Sequence, residues 1–169
     1  TAVVVVVGNP LRSRRGGCQI EQLLAGKTLE QGGADRIVHR LGTEGAESIV
    51  CMLNRLFASL DYVNYPVRNE ASLRAFIQVF FSGAGLEPIV EHHNAHGRSD
   101  LEVRAGEKVW LIELKVANEG ENSERLLREA IEQIRERRYG YSLLDKTLIR
   151  VALVFSLEKK EFIRWKAFA

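Results

Sequence analysis

The sequence predicts an α/β layer structure in which a mixed central β-sheet is flanked by helices. Three observations predict it. Apolar residues recur at helical spacing in Ile49, Leu53, Leu56, Phe57 and Leu60, again in Leu73, Phe76, Ile77 and Phe80, and again in Leu126, Leu127, Ala130, Ile131 and Ile134. β-rich runs punctuated by turn residues lie at Gly97 to Lys115 and at Leu148 to Phe168. Taken in order, the C-terminal part reads helix, strand, strand, strand, helix, strand, strand.

A chain of 169 residues, 46% of them hydrophobic, can bury one compact core. Its net charge of +2 does not by itself announce a nucleic-acid binder. Two local basic clusters stand out, Arg12, Arg14 and Arg15, then Arg135, Arg137 and Arg138; each alone reads as a solvated face. Cys18 and Cys51 lie far apart without a secretory signature, which favours reduced thiols and a cytoplasmic setting. The apolar run Val3 to Val7 is too short to cross a bilayer and lacks a cleavage pattern after it, so no membrane partner is expected.

The first run, Thr1 to Val7, reads as a buried strand entering the turn Gly8-Asn9-Pro10. Neither a Gly-x4-Gly-Lys-Ser/Thr nor a Gly-x-Gly-x-x-Gly pattern follows, so a phosphate loop is excluded there. Ile20 to Leu29 reads as a short helix and Gln31 to Ala34 as a loop. Thr43 is an expected N-cap for the stripe through Ile49 to Leu60. Asp61 to Arg68, with Asn64 and Pro66, links to a second helix capped by Asn69 and ended by Gly83-Ala84-Gly85. Glu70, in its first turn, lies at the N-terminal edge of the buried face. Glu87 to His92 reads as a strand and His93 to His96 as a loop; Glu91 is within reach of the face that carries Asp100. His92, His93 and His96 suggest a zinc-stabilised interaction protein, but no cysteine is near and the spacing matches no common zinc template.

Gly97 to Lys115 carries the most informative pattern. With a two-residue turn at Gly106-Glu107, Ala105 faces Lys108, and counting outward puts Asp100 opposite Glu113. Alternation puts Glu113 and Lys115 on one face, about 6 to 7 Å apart along the strand. Two carboxylates facing one another destabilise a hairpin unless a cation lies between them. Glu113 and Lys115 also interrupt a strongly apolar strand, and buried charge is costly unless paired or metal-bound. Beyond the polar loop Asn118 to Asn122, Ser123 can cap a helix that carries Gln133 on the flank of its stripe and ends at Tyr139 before Gly140. Leu148 to Ser156 and Glu161 to Phe168 then pair across the charged turn Leu157 to Lys160.

This ordered set resembles the PD-(D/E)xK nuclease superfamily, in particular the nuclease-like domain at the C-terminal end of uncharacterised AAA-ATPase-like proteins. The resemblance rests on Glu70 on a helix, Gly97-Arg98-Ser99-Asp100, Glu113-Leu114-Lys115, and Gln133-Ile134 with Tyr139, and covers roughly Thr43 to Phe168. Ser99 stands where the superfamily's eponymous proline would be. The resemblance implies a restriction-endonuclease-like core with an extra N-terminal strand and helices. Residues 1–42 are then an extension packed on the core, and 43–169 the nuclease-like domain. It implies a Mg²⁺- or Mn²⁺-dependent nuclease acting on DNA. In it Asp100, Glu113 and the Leu114 carbonyl hold the ion, Lys115 assists at the phosphate, and Glu70 and Gln133 complete the catalytic set. Arg98, Gln133, Arg135, Arg137, Arg138 and Tyr139 are the expected nucleic-acid contacts. The ATPase phosphate loop is not among these residues, so ATPase activity is not implied; an ATPase domain or subunit and a second copy of the chain remain candidate partners. The alternative is a catalytically silent module of the same fold that binds nucleic acid or an ATPase partner.

Overall fold

The computed structural model describes residues 6–8, 33–94, 97–136 and 146–168, with the backbone alone for 6–8, 91–94 and 97–99. In chain order the elements are β1 (Val6–Gly8), α1 (Gly33–Thr43), α2 (Ala46–Ala58), α3 (Glu70–Gly83), β2 (Ile89–Asn94), β3 (Gly97–Ala105), β4 (Lys108–Ala117), α4 (Ser123–Glu136), β5 (Thr147–Ser156) and β6 (Glu161–Phe168). The six strands form one sheet in the order β1-β6-β5-β4-β3-β2. Only the β4–β5 pair is parallel among them. A parallel pair needs a crossover, and α4 lies within that connection.

Alternation sorts the side chains of the sheet onto two faces. Val103, Trp110, Ile112, Leu114, Leu153 and Phe155 join Leu41 of α1, Leu53 and Phe57 of α2, and Leu73, Ile77 and Phe81 of α3 in the larger core. On the other face Ala117, Ala152 and Val154 pack against Leu126, Leu127, Ala130, Ile131 and Ile134 of α4. Of the described helices, three thus cover one face and one the other.

Particular residues tie the layers together. Phe57 packs at a tilt against Phe155, 4.8 Å between ring centroids, and edge-to-face against Phe162 at 5.7 Å. Asn54 of α2 accepts from the Phe162 amide at 2.7 Å and donates to its carbonyl at 3.3 Å, so a side-chain amide does for β6 what a neighbouring strand would do. Trp110, fully buried, donates its indole N–H to the Leu41 carbonyl at 2.9 Å. An indole so deep in a core needs such a partner.

Several expectations from sequence are met. Of the strand predicted over Thr1 to Val7, Val6 and Val7 are described and are in β1, which also takes in Gly8, expected in the turn. Asn69 caps α3 through the Ser72 amide at 2.9 Å, and the Ser72 hydroxyl accepts in return from the Asn69 amide at 3.0 Å. The stripe predicted for α4 is buried throughout, and the last hairpin pairs from Arg150–Phe168 to Ser156–Glu161.

Others are corrected. Gly33 and Ala34, expected in a loop, begin α1. Thr43 is the last residue of α1 and not an N-cap; its hydroxyl donates to the His39 carbonyl at 2.7 Å, and Gly45 precedes α2 instead. Leu60 lies beyond the end of α2. Asn122, not Ser123, caps α4: its side-chain oxygen accepts from the Glu124 and Arg125 amides at 3.0 and 3.1 Å, leaving Ser123 inside the first turn. His93 and Asn94, expected in a loop, continue β2 opposite Arg98 and Gly97. The helix expected over Ile20 to Leu29 lies outside the described residues.

Candidate functional site

The β3–β4 hairpin turns at Gly106, whose φ of 58° is left-handed and suits a residue without Cβ. The register follows the count made from sequence, from Ala105–Lys108 to Leu101–Ile112. There the rungs stop, and Asp100 and Glu113 stand at the next position along the same register.

The reason is local. In a continued ladder the Leu114 amide would bond the backbone of Ser99, and it bonds instead to the Asp100 carboxylate, N to Oδ2 at 2.9 Å. A side chain has taken the place of a rung, and the strands part. Residue amides and carbonyls within a strand point to the same neighbour, so the Leu114 carbonyl also faces this opening.

On β4, Glu113 pairs with Ala152 and Lys115 with Val154, and both of those β5 residues pack against α4. Glu113 and Lys115 therefore share the α4 face, and the register puts Asp100 there too. Glu113 is only 2% exposed. Gln133 of α4 has a buried Oε1 that accepts no hydrogen bond among the described residues. On β2, the pairs Val90–Leu101 and His92–Ser99 bracket Glu91, which occupies the register position beside Asp100.

The charges of Asp100 and Lys115 are met from α3, whose Leu73, Ile77 and Phe81 pack in the larger core. Arg74 Nη1 is 3.3 Å from Asp100 Oδ1, and Glu70 Oε1 is 3.7 Å from Lys115 Nζ. Asp100, Arg74 and Lys115 are nearly buried, whereas Glu70 is partly exposed. Glu70 and Arg74 are four residues apart, so one side of the first turns of α3 carries both. The Asn69–Ser72 capping box fixes where that turn begins.

This arrangement is matched by sequence comparison: a family model described as the PD-(D/E)XK nuclease superfamily matches residues 68–165, more than half of the chain. The chain belongs to this superfamily. No curated protein matches it. The matched segment runs from just before α3 to β6, and the mixed sheet flanked by helices is the superfamily's restriction-endonuclease-like arrangement.

Of the residues expected at a PD-(D/E)XK site, Asp100, Glu113, the Leu114 carbonyl and Lys115 come together where β3 and β4 part, with Glu70 above them and Gln133 on the covering helix. Arg135 is exposed on α4. Arg98 lies on β3 opposite His93; Arg137, Arg138, Tyr139 and His96 lie outside the described residues. Sequence reasoning missed Arg74. Its one signal was the four-residue spacing from Glu70.

Among the described residues no three His, Cys, Asp or Glu side chains are gathered as a metal cluster. The fit to an ion rests on the donor set. Two carboxylates and a carbonyl are hard oxygens, and Mg²⁺ commonly takes one or two protein carboxylates, with water and phosphate oxygens filling the rest. A carboxylate as buried as Glu113 is stable as an anion only beside positive charge or hydrogen-bond donors. The residues present fit a small divalent cation.

Proposed function

We propose that the chain is a divalent-metal-dependent nuclease that hydrolyses phosphodiester bonds, of DNA in the first instance. The observation that supports this best is the convergence of Asp100, Glu113 and Lys115 on one face, at the point where the β3–β4 ladder stops. Asp100, Glu113 and the Leu114 carbonyl would hold Mg²⁺ or Mn²⁺. Such an ion, when bound, neutralises phosphate charge and makes water a better nucleophile. The Lys115 ammonium donates to a phosphate oxygen and stabilises the charge that develops there. Gln133, whose Oε1 is open, accepts a hydrogen bond from the attacking water and orients it. Glu70 holds the Lys115 ammonium in place. Arg98, Arg135, Arg137, Arg138 and Tyr139 are proposed to contact the nucleic-acid backbone, the arginines through its phosphates.

The test is cleavage of linear, circular and single-stranded DNA, and of RNA, with and without Mg²⁺ or Mn²⁺. Metal-dependent cleavage that disappears in Lys115→Ala and in Asp100→Asn is expected. Cleavage that persists in either variant would sink the assignment.

One observation favours a second reading. Arg74 and Glu70 already balance Asp100 and Lys115 without any ion. In that reading the fold is catalytically silent and docks nucleic acid, an ATPase domain or subunit, or a second copy of the chain, in a reducing, cytoplasmic setting. Salt-sensitive DNA retention without metal, and no cleavage with any metal, would distinguish it.

A further inference from the structure

The positive charge now beside Asp100 belongs to the chain itself. Asp100 has two oxygens, and both are engaged: Oδ2 accepts from the Leu114 amide at 2.9 Å, and Oδ1 from Arg74 Nη1 at 3.3 Å. The guanidinium and the carboxylate are 15% and 14% exposed, so water screens them little. A divalent ion that used Oδ1 would lie within a few ångströms of the guanidinium, and two cations at that distance in a poorly solvated site repel strongly. They cannot share the oxygen.

The contact has the geometry of something that can leave. Guanidinium–carboxylate pairs of full strength are near 2.7 to 2.9 Å and frequently two-pronged. Arg74 reaches Asp100 Oδ1 with one nitrogen at 3.3 Å, whereas two residues along the same strand Arg104 holds Glu102 with Nε and Nη2, both at 2.7 Å. Glu70, four residues before Arg74, holds Lys115 at 3.7 Å, longer still.

We propose that Arg74 is an internal counter-ion that competes with the divalent cation for Asp100, so that metal occupies the site only as the guanidinium withdraws. This rests on the assignment of Asp100 as a metal ligand. Arg74 is then a positioning residue that sets the metal affinity of the site and keeps Asp100 oriented when no metal is bound.

The test is Mn²⁺ binding to the intact chain, read by the electron paramagnetic resonance of free Mn²⁺, in wild type, Arg74→Gln and Asp100→Asn. Arg74→Gln is expected to bind Mn²⁺ roughly fivefold more tightly or better, the change that follows from removing a competing pair of ordinary strength. Asp100→Asn is expected to abolish the binding. In the wild-type protein, Mg²⁺ titration is expected to move the Arg74 Nε–Hε resonance toward that of a solvated guanidinium, the resonance being identified by its loss in Arg74→Lys. Equal or weaker Mn²⁺ binding in Arg74→Gln overturns the competition and leaves the metal site standing. So does an Arg74 resonance that does not move as the Asp100 site fills. If no protein shows Mn²⁺ binding that depends on Asp100, the metal assignment fails, and the competition with it.

Discussion

The two ends of the β3–β4 hairpin are made of the same materials and behave differently. At the closed end the rungs run unbroken to Ala105–Lys108, the Gly106 carbonyl accepts from Lys146 Nζ at 3.2 Å, and the Glu107 carbonyl accepts from the Thr147 amide at 2.8 Å. Within the paired stretch the acid Glu102, opposite Leu111, is bound by an arginine of its own strand at 2.7 Å. At the open end the rungs have stopped, and Asp100 and Lys115 are met by a helix from elsewhere in the chain, at 3.3 and 3.7 Å. Where backbone bonds continue, the charged pair is local and short, and it serves the fold. Where they stop, the polar atoms face an opening, and their partners are far away in sequence and exchangeable.

The comparison can be broken from the largest effect downward. Lys115→Ala should lower metal-dependent cleavage on the order of 10³-fold, equivalent to about 4 kcal/mol of transition-state stabilisation. The thermal midpoint should hardly change, because the Lys115–Glu70 contact is long and its glutamate side half-solvated. Leu101→Ala, at the last rung and fully buried, should cost about 3 kcal/mol in urea unfolding. Gly106→Ala should cost about 1 kcal/mol by the same measurement, since alanine resists a φ of 58°. Smallest is Glu102→Gln: Arg104, 47% exposed, can rehydrate, so a loss below about 1 kcal/mol and unaltered cleavage are expected. Should Glu102→Gln abolish cleavage as Lys115→Ala does, the distinction between the paired and the parted stretch collapses.

Much of this is legible in the sequence wherever the signal is local. The stripe of α4, the Asn69 cap and the turn at Gly106 each express a period or a backbone demand that a short stretch reveals. The register counted from Gly106 therefore holds from Ala105–Lys108 to Leu101–Ile112, and its next step is the Asp100–Glu113 position. What stayed hidden was non-local or weakly patterned. In α1 the apolar stripe is only Ile37, Val38 and Leu41, a single turn of pattern, and its two first residues look like a loop. Thr43 and Ser123 are good capping residues that happen to lie within their helices, one residue type being compatible with several places at a helix end. Arg74 looks like any charged flank of α3, because its pairing with Asp100 spans 26 residues and leaves no periodic trace.

The indole of Trp110 has a consequence for how the protein can be divided. The stretch that matches the superfamily begins at residue 68, but the carbonyl that receives the indole proton belongs to Leu41. A fragment cut at that boundary would also lose Phe57 from between Phe155 and Phe162, and Asn54 from the exposed edge groups of Phe162. It would keep every residue proposed for chemistry, yet lose two of the three helices that shelter one face of the sheet. The part of this chain by which its ancestry can be read is smaller than the part that must be inherited together for it to fold.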